Sequence, residues 1–294
     1  MALKSPVPCR LTVFVARQAQ MAVILRRGPT RWVELILWDT KKDLFQRGQW
    51  FHGRVYEERC DLSPDGTKFI YFAAKYGGKR DADMPGTWTA ISKPPYFTAL
   101  ALWPGIGAWG GGGRFLDNQC LWHADCNPIH PRFSLKGLVE VPDKVAAVSF
   151  DDKFRNDRLY LRLRQVGWEV VEQKGRRLLK WRRANPVGRG ELLLDRSFSA
   201  ARYYLAGANR SEPLAFDAEW ADWDQKGRLI LANRGKVLLM DARTDRLNRV
   251  PREELDVHLK PQHITCTAIL RIPVTRDLGG VYLVQNRVEE RLIG

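Results

Sequence analysis

The stretch from Cys60 to Phe72 constrains the fold of this chain more than any other feature, because it reads as two strands joined by a tight turn. Pro64 presets the φ angle at the corner of the turn, and the Asp65 side chain can hydrogen-bond its own backbone. Gly66 tolerates the positive φ angle that such a turn requires. The apolar and aromatic residues from Phe69 to Phe72 then predict a buried strand.

The same arrangement recurs far along the chain, from Ala221 to Leu231. Each copy has an aspartate, a large apolar residue, a polar turn that ends in glycine, and a hydrophobic strand. No segment keeps a 3.6-residue apolar period over several turns, and no strand alternates regularly with a helix. Short strands dominate instead, among them the nearly continuous apolar run Trp32–Trp38 and the alternating segment Arg158–Arg164. These features predict an all-β protein of repeated, four-stranded antiparallel sheets.

The motif Asp61-Leu62-Ser63-Pro64-Asp65-Gly66, followed by Phe69-Ile70-Tyr71, resembles the D-x-S-P-D-G motif of β-propellers in the TolB and WD40 groups. The second copy is similar, with Asp224-Gln225-Lys226-Gly227 in place of Ser-Pro-Asp-Gly. Residues 87–122 also look similar to uncharacterised bacterial proteins. The resemblance implies a β-propeller in which this motif joins the innermost strand of a blade to the next strand outward.

A blade of about 40–50 residues fits the chain about five or six times, and the longer loops at 76–86 and 104–114 favour five blades over six. We therefore expect a flexible arm over residues 1–8 and a single propeller domain over residues 9–294. Closure of the ring is expected from pairing between Leu11–Ala16 and the last strands, near Val281–Gln285.

The charge and the cysteines of the chain indicate its partners and its compartment. The formal net charge is +15, and such an excess of Lys and Arg attracts acidic partners, although it also serves solubility. The five cysteines are scattered and odd in number, which is typical of free thiols in a reducing compartment. No segment has the roughly 20 apolar residues of a membrane span, and no leader peptide is recognisable. We expect a cytoplasmic protein without membrane contact.

The first candidate surface for an anionic partner is the basic run from Lys174 to Arg183. The expected contact residues are Arg176, Arg177, Lys180, Trp181, Arg182 and Arg183. Their cations would attract phosphates or carboxylates in a salt-dependent way, and an exposed Trp181 would stack on a base. The alternative is a solvated hairpin whose Trp181 packs inward, because runs of charge are usually solvent-facing.

The second candidate surface is the glycine-rich segment from 105 to 114. Residues Gly105 to Gly110 spell G-x-G-x-x-G after an apolar strand, which is the pattern of dinucleotide-binding turns. That function needs a helix to begin there, and the following run of glycines cannot start a stable helix. We expect instead a flexible loop over an opening of the propeller, with Trp109, Gly110 and Arg114 as contact residues.

Carboxylates near the two motif copies are the candidates for acid–base chemistry. The set is Asp61, Asp217, Glu219 and Asp222. Because the innermost strands of a propeller line its central channel, these groups can converge there and shift one another's pKa values. The alternative is that the aspartates only cap backbone amides at their turns.

A cysteine and histidine cluster is formed by Cys120, His123, Cys126 and His130. The ligand types suit zinc, but the spacing is that of no familiar zinc module, and residues 120 and 123 of a strand point to opposite faces. The sequence also lacks a G-x-S-x-G elbow and a cysteine-nucleophile signature. We expect separate thiols and histidines, no metal and no cofactor.

The expected function is a non-enzymatic propeller module that binds or scaffolds an acidic partner, either a protein or another anionic ligand. Two alternatives stay open: a hydrolase or lyase that uses the channel carboxylates, and a nucleic-acid-binding protein. The fold does not choose among them, since propellers host enzymes, scaffolds and receptors.

Overall fold

A computed structural model of the chain shows a five-bladed β-propeller. It describes residues 9–28, 31–76, 86–125, 127–142, 158–174, 178–188, 190–197, 201–207, 213–216, 218–241, 246–248, 270–271 and 282–283. The expected arm at residues 1–8 lies outside the described residues. The five sheets confirm the predicted all-β fold class and the favoured number of five blades.

The blades follow one another along the chain, and their strands are numbered in chain order. Blade 1 holds β1 (Arg10–Val15), β2 (Met21–Arg27), β3 (Trp32–Asp39) and β4 (Leu44–His52). Blade 2 holds β5 (Arg54–Val55), β6 (Asp61–Leu62), β7 (Phe69–Ala74), β8 (Thr87–Ser92) and β9 (Ala99–Pro104). Blade 3 holds β10 (Gly113–Phe115), β11 (Cys120–His123) and β12 (Val139–Glu140).

The second half of the ring is built in the same way. Blade 4 holds β13 (Glu169–Lys174), β14 (Leu178–Ala184), β15 (Glu191–Arg196), β16 (Ala201–Ala206) and β17 (Leu214–Phe216). Blade 5 holds β18 (Trp220–Trp223), β19 (Arg228–Asn233), β20 (Lys236–Asp241) and β21 (Arg246–Asn248). A separate short pair joins β22 (Leu270–Arg271) to β23 (Tyr282–Leu283). Pairing within the blades is antiparallel except between β11 and β12, which run parallel.

The two motif copies form equivalent hairpins. In blade 2 the turn between β6 and β7 is closed by hydrogen bonds from Ser63 N to Lys68 O (2.8 Å) and from Gly66 N to Ser63 O (2.9 Å). In blade 5 Gly227 N donates to Asp224 O (3.0 Å) at the corresponding place. Gly66 and Gly227 have φ angles of +75° and +72°, which residues with a Cβ rarely adopt. In each copy the motif therefore forms the turn of a hairpin, between β6 and β7 in blade 2 and between β18 and β19 in blade 5.

The core lies between neighbouring blades rather than inside a single layer. In β3, Val33 and Leu35 pack in a cluster shared with blade 2, whereas Ile36 and Trp38 pack in a cluster shared with blade 5. This strand is thus buried on both faces, which its continuous apolar sequence predicted. Further clusters join blade 2 to blade 3 and blade 4 to blade 5.

Blades 5 and 1 close the ring through side chains of the second motif copy. Strand β1 packs against β18 and β19. Gln225 Nε2 donates to Ala19 O (2.6 Å) and Lys226 Nζ donates to Thr40 O (2.9 Å). In the described part of the chain β1 pairs with β2 alone, and Tyr282–Leu283 pair with Leu270–Arg271. The expected closure of Leu11–Ala16 with Val281–Gln285 is therefore wrong for these residues.

One predicted strand is a helix. Residues Arg158–Gln165 form helix α1, which packs Tyr160 on the ring of Trp181 with 5.0 Å between the centroids. The segment consists largely of Leu and Arg, which are strong helix formers, and it has no β-branched residue before Val166. Its alternating sequence by itself predicts a strand, and the helix corrects that prediction. Among the described residues no helix is long and apolar enough to cross a membrane.

Candidate functional site

A central cavity of about 770 Å³ lies inside the ring. Its walls come from β1 of blade 1, the turn before β6 of blade 2, helix α1, blade 4 and β18 of blade 5. The charged residues of this lining are Arg10, Arg17, Glu57, Glu58, Asp61, Arg162, Arg183, Arg196, Glu219, Asp222 and Asp224. The cavity thus mixes both signs of charge.

Both motif copies contribute aspartates to this cavity, Asp61 from the first copy and Asp222 and Asp224 from the second. Asp61 is 5% exposed, and its Oδ2 accepts a hydrogen bond from Phe115 N (2.9 Å) and lies 3.9 Å from Arg17 Nη1. Asp222 is 8% exposed, and its Oδ1 lies 2.7 Å from Arg183 Nε in an ion pair that is not a well-directed hydrogen bond. Of the other predicted carboxylates, Glu219 is an exposed part of the same lining, and Asp217 lies outside the described residues.

The burial of the two aspartates shifts their protonation in the same direction. Desolvation raises the pKa of Asp61, and Arg17, the Phe115 amide and Arg162 oppose this shift. Desolvation likewise raises the pKa of Asp222, and Arg183 and Arg162 oppose it. Two carboxyl groups with raised pKa values therefore border one cavity, and Arg162 of helix α1 acts electrostatically on both.

The basic run in blade 4 is different from the expected surface. Lys180 Nζ lies 2.9 Å from Glu172 Oε2, and Arg182 Nη2 lies 3.0 Å from Glu169 Oε2. Trp181 is 1% exposed inside the core, so it packs inward as the alternative interpretation of this run predicts, and it is not an exposed stacking residue. The reason is its place in β14, where it faces Tyr160 of helix α1. Arg176 and Arg177 lie outside the described residues.

The segment 105–112, which we call the tryptophan loop, presents two apolar side chains to solvent. Trp109 is 92% exposed and Ile106 is 83% exposed. The backbone on both sides of Trp109 is held, because Arg59 Nη1 donates to Ala108 O and to Gly110 O, each at 2.6 Å. Gly105 N donates to Thr87 O (2.8 Å) at the base of the loop.

Glycines let the returning end of the tryptophan loop pack closely. Gly111 has a φ angle of +78° and lies against the ring of Phe72, and Gly112 has a φ angle of +88° and lies against Arg59. Gly112 N also donates to Thr89 Oγ1 (2.6 Å). The loop expected to be flexible is therefore anchored at its base, along one side and at its end.

Arg114 does not belong to the exposed part of this surface. It is 4% exposed, and its guanidinium lies 5.6 Å from the centre of the Trp122 ring. Arg114 belongs to β10, whose residues are buried, so the exposed contact surface of this segment is made by other residues. Gly110, by contrast, faces open space, with no heavy atom within 4 Å of the place where a Cβ would stand.

Sequence reasoning missed the group that supports the tryptophan loop. The Arg59 guanidinium lies 5.1 Å from the centres of both the Tyr56 and Phe72 rings, and Arg54 lies 4.5 Å from the Tyr56 ring. Tyr76, which is 54% exposed, is close enough to Tyr56 to interact with it electrostatically. The only available signal was the presence of Arg54 and Arg59 on either side of Tyr56.

The cysteine and histidine cluster has other contacts. The His123 ring stacks on Trp103 with 4.5 Å between the centroids, and its Nε2 lies 3.7 Å from Glu140 Oε1. His130 is 7% exposed and packs against Phe133. Cys120 is half-buried, and Cys126 lies outside the described residues. Where the structure describes the chain, no three His, Cys, Asp or Glu residues are placed to hold a metal ion.

Comparisons with known proteins add no family to the fold. The sequence matches no protein-family model and no curated protein. What the structure establishes is therefore the architecture alone, a five-bladed β-propeller.

Proposed function

We propose that this chain is a non-enzymatic β-propeller module that binds an acidic partner protein through the tryptophan loop. The observation that carries the proposal is Trp109, which is 92% exposed on a backbone that Arg59 holds from both sides. Trp and Arg are the residues most often found at the energetic centre of protein interfaces. A rigid scaffold that exposes such a loop is typical of binding modules.

The anchored backbone of the tryptophan loop favours a role in binding. A loop that is already ordered loses little conformational entropy when a partner docks, so more of the contact energy appears as affinity. Trp109 and Ile106 stand close together in sequence, and both present nearly all their apolar surface to water. Full burial of a Trp side chain removes about 150–250 Å² from water, which at about 25 cal/mol per Å² corresponds to about 4–6 kcal/mol as an upper bound.

The surroundings of the loop favour a partner with negative charge. Arg54 and Arg59 stack on the aromatic rings below the loop, and Lys75 is exposed at the end of β7. The whole chain has a formal net charge of +15. Such a field steers acidic partners toward the protein. An acidic segment with an apolar or aromatic residue would match both properties of the surface.

A glutamate–tyrosine copolymer is a direct probe of this proposal, with polyglutamate as the probe of charge alone. We expect the wild type to bind the copolymer more tightly than polyglutamate, and Trp109→Ala to lose about tenfold or more in affinity for the copolymer. Val187→Ala, which truncates another exposed side chain (54% exposed) in blade 4, is the matched control. Equal copolymer binding by Trp109→Ala and the wild type would refute the proposal, and tighter binding to single-stranded DNA would favour a nucleic-acid partner.

A hydrolase or lyase is the second candidate, because Asp61, Glu219 and Asp222 line one cavity and burial raises the pKa values of both aspartates. Carboxyl groups with raised pKa values mark many catalytic sites. A panel of hydrolase and lyase substrates tests this reading. Turnover by the wild type that disappears in Asp222→Asn would establish an enzyme, and no turnover by either protein leaves the binding module as the function.

Two finer assignments also remain proposals. The Asp61–Gly66 hairpin supports kinship with the TolB and WD40 groups of propellers, and the resemblance of residues 87–122 supports a bacterial origin. The described cysteines Cys9, Cys60 and Cys120 are free thiols, which supports residence in the reducing cytoplasm.

A further inference from the structure

We propose that the central cavity binds a small organic monoanion, with an apolar body and one carboxylate or phosphate group, and that Arg162 holds the negative group. This site is separate from the tryptophan loop, and it does not depend on the function proposed for that loop. A cavity of about 770 Å³ has the size of known small-molecule sites.

The first argument is the distribution of ion pairs along the cavity wall. Arg17 faces Asp61, Arg183 faces Asp222, and Arg196 forms an ion pair with Glu58. Arg162 differs from these three, because in the described part of the chain no carboxylate oxygen lies within 4.0 Å of its guanidinium. The carboxylate of its neighbour Glu57 accepts hydrogen bonds from Arg27 Nη1 instead, at 3.2 Å to Oε1 and 3.3 Å to Oε2.

The second argument is the way in which the protein holds Arg162. Its Nη1 donates to the backbone oxygen of Glu57 (3.3 Å), and its guanidinium lies 4.8 Å from the centre of the Phe14 ring. These contacts fix the side chain but use only part of its five-donor fork. A guanidinium with unused donors is well suited to bind a carboxylate or phosphate through two parallel hydrogen bonds.

The third argument is the central position of the residue. Arg162 acts on the pKa values of Asp61 in blade 2, Asp222 in blade 5 and Tyr203 in blade 4. It therefore stands among the inner residues of three blades, and a ligand that pairs with it would lie inside the ring. An anion at this point would be contacted by helix α1, which carries Arg162.

The rest of the wall limits the kind of anion. Six carboxylates line the same space, so a polyanion would be repelled. They belong to Glu57, Glu58, Asp61, Glu219, Asp222 and Asp224. The half-buried side chains of Val15, Leu159 and Val166 supply an apolar section of the wall. A ligand with one negative group and an apolar body matches both features.

Benzoate and phenyl phosphate are suitable probes, with benzyl alcohol and benzylamine as neutral and cationic analogues of similar size. Isothermal titration calorimetry of the wild type should detect binding of at least one of the two anions and weaker or no binding of the other two compounds. Arg162→Gln should weaken anion binding about tenfold or more, because hydrogen bonds to charged groups contribute about 1.5–3 kcal/mol. Arg162→Lys, which keeps the charge, should retain part of the affinity.

Arg182→Gln is the matched control, because it removes an arginine from a solvent-exposed part of blade 4 outside this cavity lining. Its affinity for the anions should equal that of the wild type. The proposal is overturned if the wild type binds neither anion, if it binds benzyl alcohol as well as benzoate, or if Arg162→Gln binds as the wild type does. Should Arg162→Gln fail to fold, the comparison of the four probes on the wild type decides. Binding of the glutamate–tyrosine copolymer should be the same in Arg162→Gln, which separates this site from the tryptophan loop.

Discussion

Arg228 connects blade 5 to blade 1, and replacing it should weaken the whole ring. Its Nε donates to Asp224 Oδ2 (2.6 Å), and its Nη1 donates to Asp43 Oδ2 (2.6 Å). Its Nη2 donates to Thr40 O (2.7 Å) and to Asp43 Oδ1 (3.0 Å). The Arg228→Gln variant keeps a polar side chain of smaller reach and removes the charge that both carboxylates share.

The magnitude follows from the burial of the partners. The Asp224 side chain is 1% exposed, whereas those of Arg228 and Asp43 are 19% and 31% exposed. Removing one partner of a buried ion pair costs about 3–5 kcal/mol, and the partial exposure of Arg228 reduces that figure. Asp224 Oδ1 also keeps hydrogen bonds from the backbone amides of Lys226 and Arg228, both 2.9 Å. We expect a loss of about 2–4 kcal/mol, which lowers the melting temperature by about 3–6 °C in a chain of this size.

Urea denaturation and differential scanning calorimetry of Arg228→Gln beside Arg182→Gln provide the assay. Arg182 also pairs with two carboxylates, Glu169 at 3.0 Å and Glu191 at 3.8 Å, but its side chain is 44% exposed. Exposed ion pairs contribute about 0–1 kcal/mol, so Arg182→Gln should be nearly neutral. If the two variants lose the same small amount of stability, the idea that Arg228 locks the ring is refuted.

Three further predictions concern packing and protonation. Gly111→Ala should lower the free energy of unfolding by about 2 kcal/mol or more, because the residue has a positive φ angle and a Cβ would collide with Phe72. Gly107→Ala, where a Cβ meets no atom, should be neutral, and equal urea midpoints of the two variants would contradict the prediction. Burial raises the pKa of Cys60 to about 12, so at about pH 8 its thiol should react slowly with Ellman's reagent in the native protein and rapidly in the unfolded chain. Rapid labelling of Cys60 in the native protein would contradict this. Burial also raises the pKa of Asp61, so the folded state binds this proton more tightly than the unfolded chain and loses stability as the pH rises toward and through the raised value. Asp61→Asn should therefore gain stability relative to the wild type as the pH rises above about 4, the ordinary pKa of an aspartate. Urea midpoints measure this difference, and a growing loss of stability in Asp61→Asn over the same rise would contradict it.

The fold could be predicted from the sequence because its hairpins depend on residues that lie close together in the chain. The turns at Gly66 and Gly227 need a positive φ angle, and the sequence shows glycine at both places. Strand β3 is buried on both faces, and its sequence is apolar at nearly every position. The blade count followed from the repeat length together with the family resemblance. These elements are specified by residues close to one another in the chain.

The parts that could not be predicted depend on contacts between distant residues. The segment 158–164 predicts a strand because Leu alternates with Arg or Tyr, but its residue types are also strong helix formers. The packing of Tyr160 on Trp181, a residue distant in sequence, accompanies the helix. The ring closes through Arg228 and Asp43, which are far apart in sequence. Neither contact leaves a local pattern in the residues that form it.

The candidate sites show the same division. The sequence identified Asp61 and Asp222 as equivalent residues, and the structure places both in one cavity lining. It also identified Trp109, but not the Arg59 side chain that holds the loop from a distance of about fifty positions. Neither the basic run around Trp181 nor the glycine-rich segment before Arg114 reveals which of its side chains face the core, and the structure buries both residues.

The fluorescence of Trp109 tests the central claim most directly, because no other Trp side chain is nearly as exposed in the structure. Acrylamide should quench a distinct, accessible fraction of the wild-type emission, and that fraction should be missing in Trp109→Phe. Saturation with the glutamate–tyrosine copolymer should protect this fraction from acrylamide and shift its emission to shorter wavelength, whereas polyglutamate should do so less. If the copolymer binds and Trp109 stays as accessible to acrylamide as before, the tryptophan loop is not the binding surface.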